Sequence, residues 1–299
     1  MASIASTLTR STVLYFQVTK PNVWWLLVFI GMVGYYTGAG GRVGLIDAFS
    51  VLLMLVTGTA GTEALSNYLE RDIDSQMRRT RRRPIPRGLI NPPWKALILG
   101  LVLMLVSLIT ASLINIMSFL FMLFGMLDYI VIYVMLSKRR TPWNIVLGSF
   151  AGGAPVIAGY VAATGVPSLE AWLLASLVIL WIPSHVWSLA LRYKEDYARA
   201  CIPMLPVVVD ERKSIRCIAS TSGLLVVFSL ILYLINSPHY GLLYLATASV
   251  LGSILLYLSM KLLFRPNLTD AWRLFKFTSP YLAIVFLVIA IEAAIVSVI

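Results

Sequence analysis

Negative charge is scarce in this chain. Only 13 of 299 residues are Asp or Glu, and all charged residues together make up 12%. Soluble domains carry about 25% charged residues, so an ordinary water-soluble globule is excluded. Cysteine is scarcer still. Cys201 and Cys217 form no CxxC pair and no zinc-type spacing, which removes a disulfide framework and a thiolate metal site. Both fall in a predicted cytoplasmic region and are expected to be free thiols. The first 20 residues show neither a small-residue cleavage site after an apolar core nor a long organelle transit peptide. What is abundant is apolar: 59% of residues are hydrophobic and the mean hydropathy is +0.86. That composition belongs to a chain that crosses a bilayer many times. The +11 net charge therefore reports topology first and gives no argument for nucleic acid.

A membrane span needs roughly 20 apolar residues. Nine segments qualify, at about 22–40, 47–69, 95–112, 116–137, 144–163, 169–191, 215–235, 241–263 and 277–298. The stretch from Ala96 to Leu136 holds one charge, Asp128. As a single helix it would be about 60 Å long, twice the hydrocarbon core, so it must turn near Ser112 to Asn115. With the N-terminus in the cytoplasm, Arg10, Lys20 and the bases of four alternate loops all fall inside. Only Arg42 of the 24 Lys and Arg lies outside. The expectation is an all-α polytopic membrane protein: one domain over 1–299, a bundle of nine transmembrane helices in the cell membrane of a prokaryote, surrounded by membrane lipids. Its N-terminus is cytoplasmic and Ile299 is outside.

The few acids are not scattered. "NYLERDIDSQMRRTRRRPIPRG", residues 67–88, sets Glu70, Asp72 and Asp74 beside Arg78, Arg79, Arg81, Arg82, Arg83 and Arg87. At 100° per residue, Glu63, Asn67, Glu70 and Asp74 fall within about 60° of one another, with Ser66 beside them and Asp72 pointing away. Glu63 lies two turns inside apolar sequence, where an ionisable group normally faces a cavity. Clustered carboxylates repel unless a cation joins them. Hard oxygens suit Mg²⁺, which binds through one or two carboxylates plus substrate phosphates. Arginines supply bidentate donors to phosphate. Asn67, Arg71, Arg79, Arg82 and Arg83 are the candidate diphosphate ligands here. A solvated loop obeying the positive-inside rule would explain the arginines but not the acids.

A second stretch, "WIPSHVWSLALRYKEDYARACIPMLPVV" from 181 to 208, repeats the theme. Glu195 and Asp196 sit at the end of the sixth span beside Arg192 and Lys194. His185, Arg192, Asp196 and Arg199 fall near one helical face. Both acid clusters end on the same membrane surface, so Glu70, Asp72, Asp74, Glu195 and Asp196 form a candidate metal set for one diphosphate. Tyr133 and Lys138 end the fourth span on that side.

At these residues the chain resembles the UbiA-type intramembrane prenyltransferases, and within them the branch that prenylates heme. The segments that carry the likeness are "TKP" (19–21), "NYLERDID" (67–74), "RTRRRPIP" (79–86), "KRRTPWNIVLG" (138–148), "PSHVWSLALRYKEDY" (183–197) and "IPMLPVV" (202–208). They extend over about two thirds of the chain. Departures are visible: Glu70 opens the family's "DRDID", Ser66-Asn67 replaces "NN", Glu195-Asp196 replaces "DD", Cys201 replaces Gly, and Asp128 is unlike the family.

The resemblance implies that farnesyl diphosphate ionises with the help of Mg²⁺ and that a vinyl carbon of protoheme IX, a substrate and not a prosthetic group, attacks the allylic cation. Water then completes the hydroxyethylfarnesyl group of heme O. Glu70, Asp74, Asp196, Lys138 and Tyr133 would be catalytic, with Arg192, Lys194 and Lys138 joining the diphosphate ligands. His185 and Trp187 are the candidate heme contacts; the alternative for His185 is an interior histidine bracing a helix. A downstream heme A synthase or terminal oxidase is an implied partner. Rival readings are the same fold with an aromatic quinone-precursor acceptor, a transporter, and a structural subunit. A transporter would show internal repeats and polar residues at mid-membrane; a structural subunit leaves the acids unexplained. "GSFAGGAPVIAG" lacks the lysine of a phosphate loop and is expected to serve helix packing or substrate room.

Overall fold

The computed structural model describes residues 11–235 and 239–298. Arg10, Ile299 and part of the loop before His239 lie outside them. The described chain runs α1 (Ser11–Val18), α2 (Pro21–Gly38), α3 (Leu45–Leu69), α4 (Arg71–Gln76), α5 (Trp94–Ile114), α6 (Ile116–Ser137), α7 (Asn144–Leu147), α8 (Phe150–Thr164), α9 (Leu169–Arg192), α10 (Lys194–Arg199), α11 (Leu205–Val208), α12 (Glu211–Leu234), α13 (Leu242–Phe264) and α14 (Leu268–Val298). Among the described residues, eight helices are long and apolar enough to cross a membrane, α7 and α8 counting together as one. The bent pair α1–α2, with 62° between its halves, makes a ninth if it counts as one span. Helices are the expected solution, because in hydrocarbon every backbone polar group must be satisfied within its own segment.

Local chemistry sets the breaks. Asn115 turns the α5–α6 hairpin where length demanded it: its side chain accepts from Ser118 N (2.8 Å) and donates to Val161 O (2.8 Å), tying the turn to α8. Ser168 and Asp210 cap α9 and α12 through Ala171 N and Arg212 N. Lys20, with φ 52°, stands at the α1–α2 corner, followed by Pro21 at the first position of α2. From Asp128 to Ser137, α6 is wound as a π-helix, a form that is rare and frequent at functional sites. Asp128 itself is a helix-pairing residue: its carboxylate accepts from Ala151 N (2.8 Å) in the first turn of α8.

Small residues let the bundle close. Gly31, Gly34 and Gly38 of α2 lie against the backbone of α8; a Cβ on Gly38 would stand 2.7 Å from Tyr160 O. Gly61 of α3 and Gly100 of α5 lie against each other the same way. The expected packing role of "GSFAGGAPVIAG" is thus met at Gly159, which abuts Gly31, while Gly148 and Gly152 line a cavity. At the far end from the acidic loops, Glu292 accepts from Gly241 N and from Tyr244 N (3.0 Å) to cap α13. His239 there meets Glu170 at 3.1 Å.

Candidate active site

A cavity of about 570 Å³ lies within the bundle, walled by α2, α3, α6, α8, α9 and α14. All the ionisable side chains that line it, apart from His185, come from the end that carries the acidic loops: Lys20, Glu63, Glu70, Asp74, Arg79, Arg83 and Lys138, with Tyr129, Tyr133 and Tyr197. The opposite end is apolar. Hydrogen bonding continues through the α3–α4 junction, with Glu70 N on Ser66 O and Asp74 N on Glu70 O. The stripe of Glu63, Asn67, Glu70 and Asp74 therefore stays together, and all four are buried.

Each acid of this stripe meets a base from another part of the chain. Lys20 Nζ donates to Glu63 Oε2 (2.8 Å) and Ser66 Oγ (2.7 Å), and the Tyr129 hydroxyl donates to Glu63 Oε1 (3.0 Å). Lys138 Nζ donates to Glu70 and stands 5.1 Å from the centre of the Tyr133 ring. Arg83 donates to Asp74 Oδ2 (2.6 Å) and to Asn67 Oδ1 (3.3 Å). Burial alone would push the Glu70 carboxyl up, but the charges of Lys138, Lys20 and Arg83 outweigh it and hold it below the usual carboxylate range. Burial would likewise lower the Lys138 ammonium; Glu70 and Tyr133 reverse that and raise it. The Glu70–Lys138 pair is thus held in its charged form.

Several candidates from the sequence stand elsewhere. Asp72, on the opposite face of α4, is exposed and held by Arg139 through two 2.8 Å bonds. Glu195 is exposed, turned away from its buried neighbour Asp196. The helix breaks at Tyr193 (φ −111°), so His185 and Asp196 do not share one continuous face. Asp196 does not line the cavity. Its carboxylate accepts from Arg79 N (3.2 Å) and from Arg199 (3.4 Å), fastening the arginine loop to α10. Arg71 is exposed over the Tyr68 ring at 4.3 Å. Arg82, Arg192 and Lys194 do not line the cavity either. Trp187 is two residues, about 200°, round the helix from His185; it is buried against Trp143 and faces away from the cavity. Nor do the five proposed metal ligands converge. Among the described residues, no three of His, Cys, Asp and Glu are arranged to hold an ion by themselves.

His185 does line the cavity. Its ring is stacked between Trp181 (4.6 Å) and Phe275 (4.4 Å), and its Nδ1 lies 2.7 Å from Thr278 Oγ1. The acid-and-arginine pattern does not point to Lys20 or Tyr129 as ligands. The one trace of Lys20 in the sequence is "TKP", a base directly before a helix-starting proline. Glu70 and Asp74, one turn apart on the cavity wall, are hard oxygen donors. They fit a magnesium ion that arrives with phosphate oxygens and water, which needs only one or two carboxylates from the protein.

Residues 27–287 match the UbiA prenyltransferase family. The chain is 45% identical to a protoheme IX farnesyltransferase of Desulforudis audaxviator, over 93% of this chain and 87% of that one. It is 41% identical to the enzyme of the same name from Thermoplasma volcanium, over 93% and 96%. Among solved structures, a digeranylgeranylglyceryl phosphate synthase shares the fold with a TM-score of 0.79 at 19% identity, covering 95% of this chain and 99% of that one. A UbiA homologue from Archaeoglobus fulgidus, bound to GPP and Mg²⁺, superposes with a TM-score of 0.62 at 17% identity, covering 92% and 99%. With the match spanning most of its length and relatives this similar, the chain belongs to the UbiA prenyltransferase family.

Proposed function

We propose that this protein transfers the farnesyl group of farnesyl diphosphate to a vinyl group of protoheme IX, giving hydroxyethylfarnesyl heme (heme O). The observation that carries the reading is one apolar cavity with paired acids and bases at a single end, in a chain so similar to curated protoheme IX farnesyltransferases. Glu70 and Asp74 would hold Mg²⁺, which when bound supplies Lewis-acid stabilisation of the departing diphosphate. Lys20, Arg79, Arg83 and Lys138 line the same end and are the donors for the diphosphate oxygens. As phosphate oxygens arrive, Lys138 and Arg83 would exchange carboxylate partners for phosphate ones, and Glu70 and Asp74 would be released to the metal. Asn67 holds Arg83, and Asp196 acts at one remove by fixing the backbone of Arg79. The rings of Tyr129 and Tyr133, 5.6 Å apart, stand beside these groups and present π-faces to an allylic cation. The Trp181–His185–Phe275 stack offers a flat apolar wall to a porphyrin, with His185 its one metal-binding side chain. No protein nucleophile is needed.

Incubation with farnesyl diphosphate, protoheme IX and Mg²⁺ should yield heme heavier by one farnesyl group and one hydroxyl, read by mass spectrometry. Exhaustive chelation should abolish the product. Prenylation of an aromatic acid instead of heme, or full activity without divalent metal, would refute this reading.

The site faces the cytoplasm in the cell membrane, on the argument of the basic loops, and the product passes to a heme A synthase or terminal oxidase. Cysteines placed at Arg82 and Lys138, after replacement of the exposed Cys201 and of Cys217, should resist an impermeant thiol reagent added from outside. Labelling at both positions would reverse the orientation.

A further inference from the structure

Far from the acids, the cavity meets two methionines. The apolar cluster between α2, α3, α5, α6 and α8 includes Val51, Met54 and Leu55, buried almost completely. Of its buried members, only Met122 and Met126 also line the cavity. The cavity therefore stops at these two side chains, and solid core begins behind them. Both lean on Gly58 of α3: a Cβ at that position would lie 3.1 Å from Met126 Cε, 2.6 Å from Ser107 Oγ, and would overlap Met122 Cε. The glycine is the seat that lets the two thioethers lie back. The wall above offers little to a polar ligand. The hydroxyls of Thr59 and Thr62 are spent on carbonyls of their own helix, at 2.7 Å to Leu55 O and 3.0 Å to Gly58 O.

The depth decides what fits. Gly58 precedes Glu70 by twelve residues, or ~18 Å of helix. With carbon–carbon bonds of ~1.5 Å in a zigzag, the main chain of a farnesyl group spans ~14 Å and that of a geranylgeranyl group ~19 Å. Once a diphosphate is placed beside Glu70 and Asp74, the first fits above the methionines and the second runs into them.

We infer that Met122 and Met126, seated on Gly58, form the floor that makes this site select a fifteen-carbon over a twenty-carbon allylic diphosphate. The inference rests on the prenyl-transfer reading above. Methionine is unbranched and adaptable, so the selection is graded. Shortening either side chain deepens the cavity by the space that side chain fills, and a bulkier side chain raises the floor.

The test is displacement of radiolabelled farnesyl diphosphate from the full-length protein in detergent with Mg²⁺, using geranyl, farnesyl and geranylgeranyl diphosphates as competitors. No acceptor is involved. Met122→Ala should raise the affinity for the twenty-carbon competitor relative to the fifteen-carbon one by about tenfold, the low end of what a methylene or two decides in an apolar pocket. Met126→Ala should move the ratio the same way and serves if Met122→Ala does not fold. Met122→Phe should move it towards the ten-carbon compound. A twenty-to-fifteen ratio within twofold of wild type in the alanine variants, each still binding farnesyl diphosphate, would overturn the floor. A wild-type protein that binds none of the three would instead overturn the prenyl-transfer reading itself.

Discussion

Asp74→Ala should lower turnover by at least ~10²-fold, the scale of losing one preorganised electrostatic group. The carboxylate has two duties. It lines the cavity as one of the two hard donors proposed for the metal, and it holds Arg83 at 2.6 Å. Without it, Arg83 keeps only the 3.3 Å bond to Asn67 and no longer presents its guanidinium in a fixed direction. The fold should survive, because the Arg83 side chain is 25% exposed and can turn to water. Asp74→Asn keeps the shape and removes the charge, so it should lose nearly as much if charge is what matters. Steady-state transfer at saturating substrates, with circular dichroism as the fold control, checks both. Wild-type turnover in Asp74→Ala would remove the residue from the site.

Glu63→Ala should act on stability before catalysis. Lys20 and Glu63 have side chains only 12% and 7% exposed and are joined at 2.8 Å within the bundle. Removing the acid strands a buried ammonium and takes the acceptor from the Tyr129 hydroxyl. Breaking a buried pair this way costs about 3–5 kcal/mol, enough to depress the unfolding temperature by many degrees in detergent. Replacing both partners with apolar residues of similar size, Lys20→Met with Glu63→Leu, should recover most of the loss, since the desolvation penalty vanishes with the charges. If Glu63→Ala melts with wild type, the pair is not holding α1 and α2 to α3. If the double variant melts as early as the single one, the uncompensated charge is not the cause.

What the sequence reveals and what it hides divide along the range of the interaction. Hydropathy is local, so the span positions and the hairpin at Asn115 are legible, most ends to within a few residues; the exception is the last helix, which starts at Leu268, nine residues before the expected 277. The acid stripe is legible too, because Glu63, Asn67, Glu70 and Asp74 belong to one helix and one helical period relates them. The same arithmetic fails for the second cluster, because the chain breaks at Tyr193 and the phase is lost before Asp196. Partners are hidden because they are tertiary: Lys138 lies 68 residues from Glu70, and Lys20 lies 43 from Glu63. Composition shows a surplus of bases but not which of them turn inward. Arg71 and Arg82 look identical to Arg83 in the string, yet only Arg83 reaches the cavity. Trp187 is similar: two residues from His185 in sequence, it stands on the far side of α9.

The solid core of Val51, Met54 and Leu55 behind the cavity also has an electrical meaning. A membrane that respires holds a voltage, and moving one elementary charge across it is worth about 2.3 kcal/mol per 100 mV. A diphosphate carries several charges. If the cavity ran through the bundle, its ligands would sit part-way down that field, and their affinity would drift with the energy state of the cell. Backed at its apolar end by that core, a cavity facing one side would stay close to the potential of that side, and the voltage would fall across the hydrocarbon and the packed core. Charged substrate would then enter and pyrophosphate leave with almost no electrical work, at rest or at full respiration.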